Sequence, residues 1–199
     1  MQETLLEEVR RVRSGADCVA SPATVDAAFD RMAREIAQRL AHANPLIYAV
    51  MNGGLIVAGR LVPKLDFPLE LAYLHATRYG HALSGARLDW CIRPTQNLTG
   101  RTVLIVDDVL DEGHTLEAIC QSIRSEGAAE ALTAVLVHKT HERKAAPGMR
   151  ADFTGIDAPD RFLFGCGMDY KGYWRNAAGI YAVREGTRLT EGLGHWGKE

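Results

Sequence analysis

Apolar residues follow two different periods along the chain, and these periods separate predicted helices from predicted strands. Between residues 24 and 43 they recur every three or four positions, which predicts one amphipathic helix with Thr24 as its N-cap. The residues before it predict another helix. Short, continuous apolar runs predict buried strands instead, and these lie at 45–50, 69–76, 87–94, 101–108 and 131–139.

The remaining segments complete a predicted order of elements. Helices are predicted at 55–65 and 114–128, the second closed by Gly127, and shorter strands near 152–155, 162–165 and 179–183. Because strands alternate with helices through residues 46–139, the pattern predicts an α/β fold: an open, mostly parallel twisted sheet with helices on both faces. We expect a single domain over residues 1–199. Residues 76–87 are polar without periodicity and predict a long connection, such as a lid or hairpin arm.

Composition narrows the functional classes. The net charge is −2 and no basic stripe is visible, which speaks against a nucleic-acid partner. The longest basic cluster, residues 141–144, contains a glutamate and predicts a solvated turn. No apolar run could span a membrane and the charged N-terminal segment is unlike a signal peptide, so we expect a cytoplasmic protein with no membrane partner.

The four scattered cysteines fit free thiols in a reducing compartment. His138 and His141 lack further ligands at zinc spacing.

Four acidic residues stand within six positions at the end of the predicted strand 101–108. They are Asp107, Asp108, Asp111 and Glu112. Like charges this close repel each other, and the end of a buried strand is a costly place for them. A metal, a polyol or a phosphate is therefore expected nearby, because open parallel sheets bind ligands outside the carboxyl ends of their strands.

The residues that follow the first acid pair fit a phosphate-binding loop. Gly113 permits a tight turn, the amides of 112–115 would point outward at a helix N-terminus, and Thr115 adds a hydroxyl. Alternatively, Asp111 or Thr115 only caps the helix. A Walker B strand is disfavoured, because the G-x-x-x-x-G-K at 192–198 lacks the Ser or Thr and the helix that must follow it. A receiver phosphorylation site gives no reason for the loop.

The stretch VLIVDDVLDEGHT, residues 103–115, resembles the phosphoribosyl-pyrophosphate motif of the type I phosphoribosyltransferases. The resemblance extends over most of residues 46–185. At the position of Asp111, the members that act on 6-oxopurines carry Asp, whereas adenine, orotate and uracil members usually carry a small or apolar residue or Thr. The resemblance therefore implies the hypoxanthine-guanine branch of the family.

The resemblance implies roles for the acidic stretch. Asp107 and Asp108 would bind the ribose hydroxyls, and Asp111 would be the general base near purine N7. The 5′-phosphate would lie on the loop that follows the acid pair, formed by Asp111, Glu112, Gly113, His114 and Thr115.

Further segments carry the pyrophosphate and purine roles. VMNGGL resembles the family's pyrophosphate loop, with Asn52 in place of the usual Lys and Gly53 beside it. Arg175 would also reach the pyrophosphate. VLVHKT would place Lys139 at the purine 6-oxo group, with a surface-exposed strand cap as the simpler alternative. For Arg175, the simpler alternative is an ion pair with a surface acid.

The segment PDRFLFGCGMDYKGYWRN resembles the purine-binding segment of the family. Phe162 would stack on the base and the Leu163 backbone would hydrogen-bond it, while an ordinary core position is the alternative for Phe162. Asp169 would lie by the purine site and, with Asp107, would help to hold Mg²⁺. Roughly residues 1–20 and 155–199 would form a small hood over the base.

The implied reaction joins hypoxanthine or guanine to C1 of phosphoribosyl pyrophosphate with Mg²⁺ as the cofactor. A homo-oligomer, a dimer or a tetramer, is expected. Two other hypotheses remain open at this point. The first is a phosphoribosyltransferase that prefers xanthine or adenine, and the second is a non-catalytic regulator that senses nucleotides on the same fold.

Overall fold

A computed structural model describes residues 3–78 and 88–187. Four α-helices lie in these ranges: α1 (Leu5–Gly15), α2 (Pro22–Leu40), α3 (Gly53–Leu61), which continues into a 3₁₀ turn (Val62–Lys64), and α4 (His114–Ser125). The strands in these ranges are β1 (Asp17–Ala20), β2 (Leu46–Val50), β3 (Glu70–Arg78), β4 (Leu88–Ile92), β5 (Thr102–Leu110), β6 (Glu130–Thr140), β7 (Phe153–Pro159), β8 (Leu163–Phe164) and β9 (Ile180–Ala182).

The main sheet has six strands in the order β4-β3-β2-β5-β6-β7. Five of them are parallel, and β4 runs antiparallel at one edge. The predicted open, mostly parallel sheet is confirmed. Because β5 and β6 lie inside this sheet and are covered on both faces, their apolar runs are nearly unbroken.

Helices cover both faces of the sheet, as predicted. On one face α2 and α3 bury Phe29, Ile36 and Val57, and on the other α4 buries Ile119 and Ile123. None of the helices in the described ranges is long and apolar enough to cross a membrane.

The starts of the first two helices follow from local capping. Thr4 and Glu7 form a capping box that begins α1. For α2 the predicted N-cap, Thr24, is wrong: the Ser21 hydroxyl accepts a hydrogen bond from the Thr24 amide (3.2 Å), and Pro22 occupies the first helical position. The short strand β1 between the two helices was not predicted, since four residues carry too little pattern.

A second, smaller sheet has the antiparallel order β1-β9-β8. Helix α1 packs beside it and buries Val9 and Val12 in a small apolar cluster with Phe164 and Tyr170. Of the segments predicted to form the hood, residues 155–159 belong to β7 of the main sheet, and 188–199 lie outside the described residues. That this lobe covers the base stays a prediction.

The predicted connection at 76–87 joins the antiparallel strands β3 and β4, as a hairpin arm would, but its predicted start is wrong. Strand β3 continues to Arg78, because Ala76 and Thr77 pair with Trp90 and Asp89 of β4. The rest of that connection, 79–87, lies outside the described residues.

Candidate active site

The predicted site residues follow four neighbouring parallel strands. Asn52 and Gly53 come after β2, the acidic stretch ends β5, Lys139 lies near the end of β6, and Phe162 follows β7. Because the strands are parallel, these segments meet at one edge of the sheet. The structure therefore brings together the segments predicted to bind the phosphate, the sugar and the base.

Asp107 and Asp108 lie within β5, and the strand ends two residues later than predicted, at Leu110. Asp108 is 8% exposed, and the Asp107 Oδ1 accepts a hydrogen bond from the Asp108 amide (2.9 Å). Burial and the neighbouring Asp108 charge hold the pKa of Asp107 well above its usual range. Burial also raises the pKa of Asp108, although Arg175 opposes this shift. The pair thus costs free energy in its fully ionised form and favours ligands that supply positive charge or hydroxyl donors.

The segment after β2 packs directly against this pair. Helix α3 begins at Gly53, and a Cβ on Gly53 would lie 1.9 Å from the Asp108 Oδ2. A Cβ on Gly54 would lie 2.4 Å from the Val106 carbonyl oxygen. The exposed Asn52 is the N-cap of α3 and makes no side-chain capping hydrogen bond. The two glycines therefore permit a close approach that any side chain would prevent.

Arg175 joins two carboxylates of the site. Its guanidinium lies 2.6 Å from the Asp169 Oδ1 and 3.7 Å from the Asp108 Oδ2, and it donates to the Gly167 carbonyl oxygen (2.6 Å). The alternative that Arg175 pairs with a surface acid is wrong, because side chains of both acids are only 12% exposed.

A glycine that the sequence analysis passed over supports this arrangement. Gly167 adopts φ +107°, and a Cβ there would lie 2.7 Å from the Gly53 carbonyl oxygen and 2.8 Å from the Asp108 Cβ. The G-x-G at 165–167 was a visible signal. It serves the approach of this turn to α3 and β5.

Asp111 stands apart from Asp107 and Asp108 and binds two side chains. Its Oδ2 accepts from the Lys139 Nζ (2.6 Å), and its Oδ1 lies 2.7 Å from the His141 Nε2. Partial burial alone would raise the pKa of Asp111, but the hydrogen bonds from both partners and the charge of Lys139 outweigh it and the pKa is lowered. Asp111 is therefore ionised at neutral pH. Lys139 is 13% exposed, so the alternative of a surface-exposed strand cap is wrong.

The basic cluster at 141–144, expected to be a solvated turn, wraps the acidic loop instead. The side chain of His141 is 5% exposed. Lys144 Nζ donates to the carbonyl oxygens of Leu110 (3.2 Å), Asp111 and Lys139 (2.7 Å), and so joins the ends of β5 and β6. Only Glu142 and Arg143 are exposed as expected. His141 and Lys144 follow β6, whose parallel neighbour is β5, and that adjacency was the available signal.

One group of potential metal ligands occurs in the described ranges, and it lies at this loop. Ligand atoms of Asp111, His141 and Asp160 are all within 4.8 Å of one another. Both carboxylates already have cationic partners, since Lys139 contacts Asp111 and Arg143 contacts Asp160 at 2.8 Å. Hydrogen bonds and ion pairs thus account for the cluster.

Residues 111–115, the anion loop, lead into α4 and have the form of an anion site. Gly113 is the N-cap, at φ +87°, and gives no side-chain cap, so the alternative that Asp111 or Thr115 caps the helix is wrong. A Cβ on Gly113 would lie 2.6 Å from the Met149 Sδ. The first bond of the helix joins the Glu117 amide to the Gly113 carbonyl oxygen (2.9 Å). The amides of the first turn therefore point outward without intrahelical acceptors, where the helix dipole favours an anion.

Phe162 and Leu163 connect the main sheet to the small one. Phe162 is partly exposed, lies edge-on to Tyr170 with ring centroids 5.7 Å apart, and accepts a backbone hydrogen bond from Val183 (2.9 Å). Leu163 is buried in β8. Their contacts with a base stay predictions, while the pairing of Thr140 with Pro159 brings the segment beside the end of β6.

Comparison with known proteins identifies the family of the chain. The family described as "Phosphoribosyl transferase domain" matches residues 21–171. A hypoxanthine-guanine phosphoribosyltransferase of Bacillus subtilis is 31% identical over 133 residues, which are 66% of this chain and 73% of the relative. One of Streptococcus pneumoniae is 28% identical over 159 residues, 79% of this chain and 87% of the relative.

Solved structures share the fold. A hypoxanthine phosphoribosyltransferase of Staphylococcus aureus superimposes with a TM-score of 0.80 at 18% identity, covering 86% of this chain and 94% of the other. One of Trypanosoma cruzi gives 0.77 at 23% identity, covering 86% and 97%. The family match spans most of the chain and includes the residues from Asn52 to Asp169. The chain therefore belongs to the phosphoribosyl transferase domain family.

Proposed function

We propose that the protein transfers the 5-phosphoribosyl group from phosphoribosyl pyrophosphate to N9 of hypoxanthine or guanine. The products are the purine nucleotide, IMP or GMP, and pyrophosphate, and the reaction is one of purine salvage. The observation that carries the proposal is the place of Asp111, which joins the anion loop to Lys139 by one hydrogen bond. The names of the curated relatives support the same activity.

The anion loop and the acid pair of β5 are assigned to the sugar phosphate. The amides of residues 112–115 and the Thr115 hydroxyl would bind the 5′-phosphate. Asp107 and Asp108 would accept hydrogen bonds from the ribose hydroxyls, which suits a pair whose joint ionisation is costly.

The pyrophosphate group is assigned to the opposite wall of the site. The backbone amides at Asn52 and Gly53 would bind it, because α3 begins there and the start of a helix favours an anion. Arg175 would exchange part of its contact with Asp169 for the leaving group.

Mg²⁺ fits the donor set at this wall. Asp107 and Asp169 would hold it, since carboxylate oxygens are the ligands it prefers and a cation would offset the costly joint ionisation of Asp107 and Asp108. The ion would take the place of Arg175 at the Asp169 carboxylate as Arg175 turns to the pyrophosphate. When bound, the ion would disperse the negative charge of the pyrophosphate.

The base is assigned to the side of Asp111. Asp111 would accept the N7 proton of the purine, and its lowered pKa keeps it in the ionised, accepting form. Lys139 would donate to the 6-oxo oxygen, Phe162 would stack on the ring, and the Leu163 backbone would hydrogen-bond it.

The alternative functions, a different purine preference or a non-catalytic regulator, would need different properties of the same residues. Adenine would present an amino donor to the Lys139 donor, which disfavours it. A regulator without activity would have no need for both an intact acid pair and an intact anion loop. Xanthine keeps the 6-oxo group and is therefore included in the test below.

We further propose a cytoplasmic homo-oligomer, a dimer or tetramer, without nucleic-acid or membrane partners. All four cysteines are free, as a reducing compartment would keep them. Leu71 and Tyr73 on β3 are half exposed and give one apolar surface for self-association.

The test is a direct assay of the purified protein. Phosphoribosyl pyrophosphate and Mg²⁺ are supplied with hypoxanthine, guanine or xanthine, and nucleotide and pyrophosphate are measured together. We expect IMP or GMP with an equal amount of pyrophosphate, and none when EDTA removes the metal. Absence of nucleotide from both hypoxanthine and guanine would overturn the proposal.

A further inference from the structure

His141 is held at both ring nitrogens, although it lies outside the motif that identifies the family. Its Nε2 lies 2.7 Å from the Asp111 Oδ1. Its Nδ1 accepts a hydrogen bond from the backbone amide of Arg143 at 3.1 Å. With a side chain only 5% exposed, the ring has little freedom to leave this position.

These two contacts define the proton on the ring. The Arg143 amide can only donate, so the Nδ1 must be the unprotonated, accepting nitrogen. The Nε2 then carries the only ring proton, which it donates to Asp111. The geometry thus assigns a neutral imidazole. His141 therefore stabilises the Asp111 carboxylate through a directed hydrogen bond and not through a positive charge.

Several charged groups lie around the Asp111 carboxylate. Lys139 donates to the Asp111 Oδ2, the oxygen that His141 does not contact, and Lys144 donates to the Asp111 backbone carbonyl oxygen. The remaining ionisable neighbours belong to the same loop and to the turns beyond β6 and β7, and they are Glu112, His114, Arg143 and Asp160. Of these groups, Lys139 and His141 are the two that touch the Asp111 carboxylate.

We propose that His141 is a positioning residue for the base-facing carboxylate of Asp111. The inference rests on the proposed function, because it concerns the same site. When the purine binds, Lys139 must direct a proton of its Nζ to the 6-oxo oxygen. His141 makes no contact that the base would replace, and it keeps Asp111 in place while Lys139 turns.

Two substitutions separate a directed donor from a charge. His141→Gln offers a neutral N–H at a similar reach, and His141→Leu fills the space without a donor. We expect His141→Leu to lower kcat/KM for hypoxanthine about 10- to 100-fold, as loss of alignment does. His141→Gln should stay close to the wild type. His42→Leu, the same change at an exposed histidine beyond α2, is the matched control.

The pH profile provides a readout that a merely structural role would not move. The hydrogen bond from His141 helps to lower the pKa of Asp111, so its loss raises that pKa. The acid limb of kcat/KM should therefore shift to higher pH in His141→Leu and stay in place in His141→Gln. If the two variants lose activity equally, or if the limb stays in place in His141→Leu, the proposal is wrong.

An NMR measurement tests the same contact without activity. In a long-range ¹H–¹⁵N spectrum of the full-length protein, the signals missing from His141→Gln identify the His141 ring. We expect the pattern of a neutral ring protonated at Nε2 at neutral pH. A charged ring or one protonated at Nδ1 would overturn the assignment. If the wild type makes no nucleotide, the proposed function fails, while this spectrum still decides whether His141 binds Asp111 as described.

Discussion

Asp111→Asn is expected to lower turnover of hypoxanthine by about 10²- to 10⁴-fold, the usual contribution of a positioned general base. The ionised carboxylate accepts from Lys139 and His141 and has lone pairs left for the N7 proton of the purine. An amide has no charge to share that proton and turns one donor toward another. The anion loop and the acid pair of β5 are unchanged, so phosphoribosyl pyrophosphate should still bind. Steady-state turnover and a calorimetric titration of phosphoribosyl pyrophosphate measure the two expectations separately.

The matched control is Asp66→Asn, the same change at an exposed acid just after the 3₁₀ turn that follows α3. It should leave both quantities unchanged. Turnover of Asp111→Asn equal to the wild type would remove Asp111 from the base role. Loss of phosphoribosyl pyrophosphate binding in this variant would instead assign Asp111 to the sugar phosphate.

Gly53→Ala is expected to damage both stability and sugar-phosphate binding. The new Cβ would lie 1.9 Å from the Asp108 Oδ2, and backbone contacts of Gly167 close the site from the other side. Overpacking of this kind costs about 1–3 kcal/mol of unfolding free energy. Asp108 can yield only by leaving its place beside Arg175, so the KM for phosphoribosyl pyrophosphate should rise. Thermal unfolding and initial rates at varied phosphoribosyl pyrophosphate measure both effects.

Gly59→Ala on the same helix separates the clash from the change of residue type. A Cβ at Gly59 has no heavy atom within 4 Å, and alanine in a helix interior stabilises by about 0.5–1 kcal/mol relative to glycine. The two variants should therefore shift the melting temperature in opposite directions. A Gly53→Ala protein as stable and as active as Gly59→Ala would show that the close packing of α3 on Asp108 has no role.

The sequence was sufficient for the mostly parallel main sheet and its helix-covered faces, but not for the order of the strands within it. The helical period of 24–43 predicts a helix on one sheet face, and the apolar run of 103–106 before an acid pair predicts a strand buried on both faces. The place of the site followed as well, because parallel strands end at the same edge. The ends of helices and strands were predicted less well. The start of α2 at Ser21, for example, depends on a single capping hydrogen bond that no apolar pattern indicates.

The surroundings of Asp111 could not be read from the sequence in the same way. His141 and Lys144 lie 30 and 33 positions away from it and act through one ring nitrogen and one ammonium group. Neither residue belongs to a sequence motif with a fixed spacing. The parallel register of β5 and β6 brings both of them to the loop. Arg175 was identified by resemblance, but its bridge between Asp108 and Asp169 depends on how the turn at Gly167 packs.

The discrimination between hypoxanthine and adenine tests most directly whether Lys139 and Asp111 form a site for 6-oxopurines. The measurement is kcat/KM of the wild-type protein for both bases, with Mg²⁺ and saturating phosphoribosyl pyrophosphate. A preference for hypoxanthine of at least about 100-fold is expected, because the Lys139 donor would meet the amino group of adenine without an acceptor. Equal or better use of adenine would contradict the assignment of the base site.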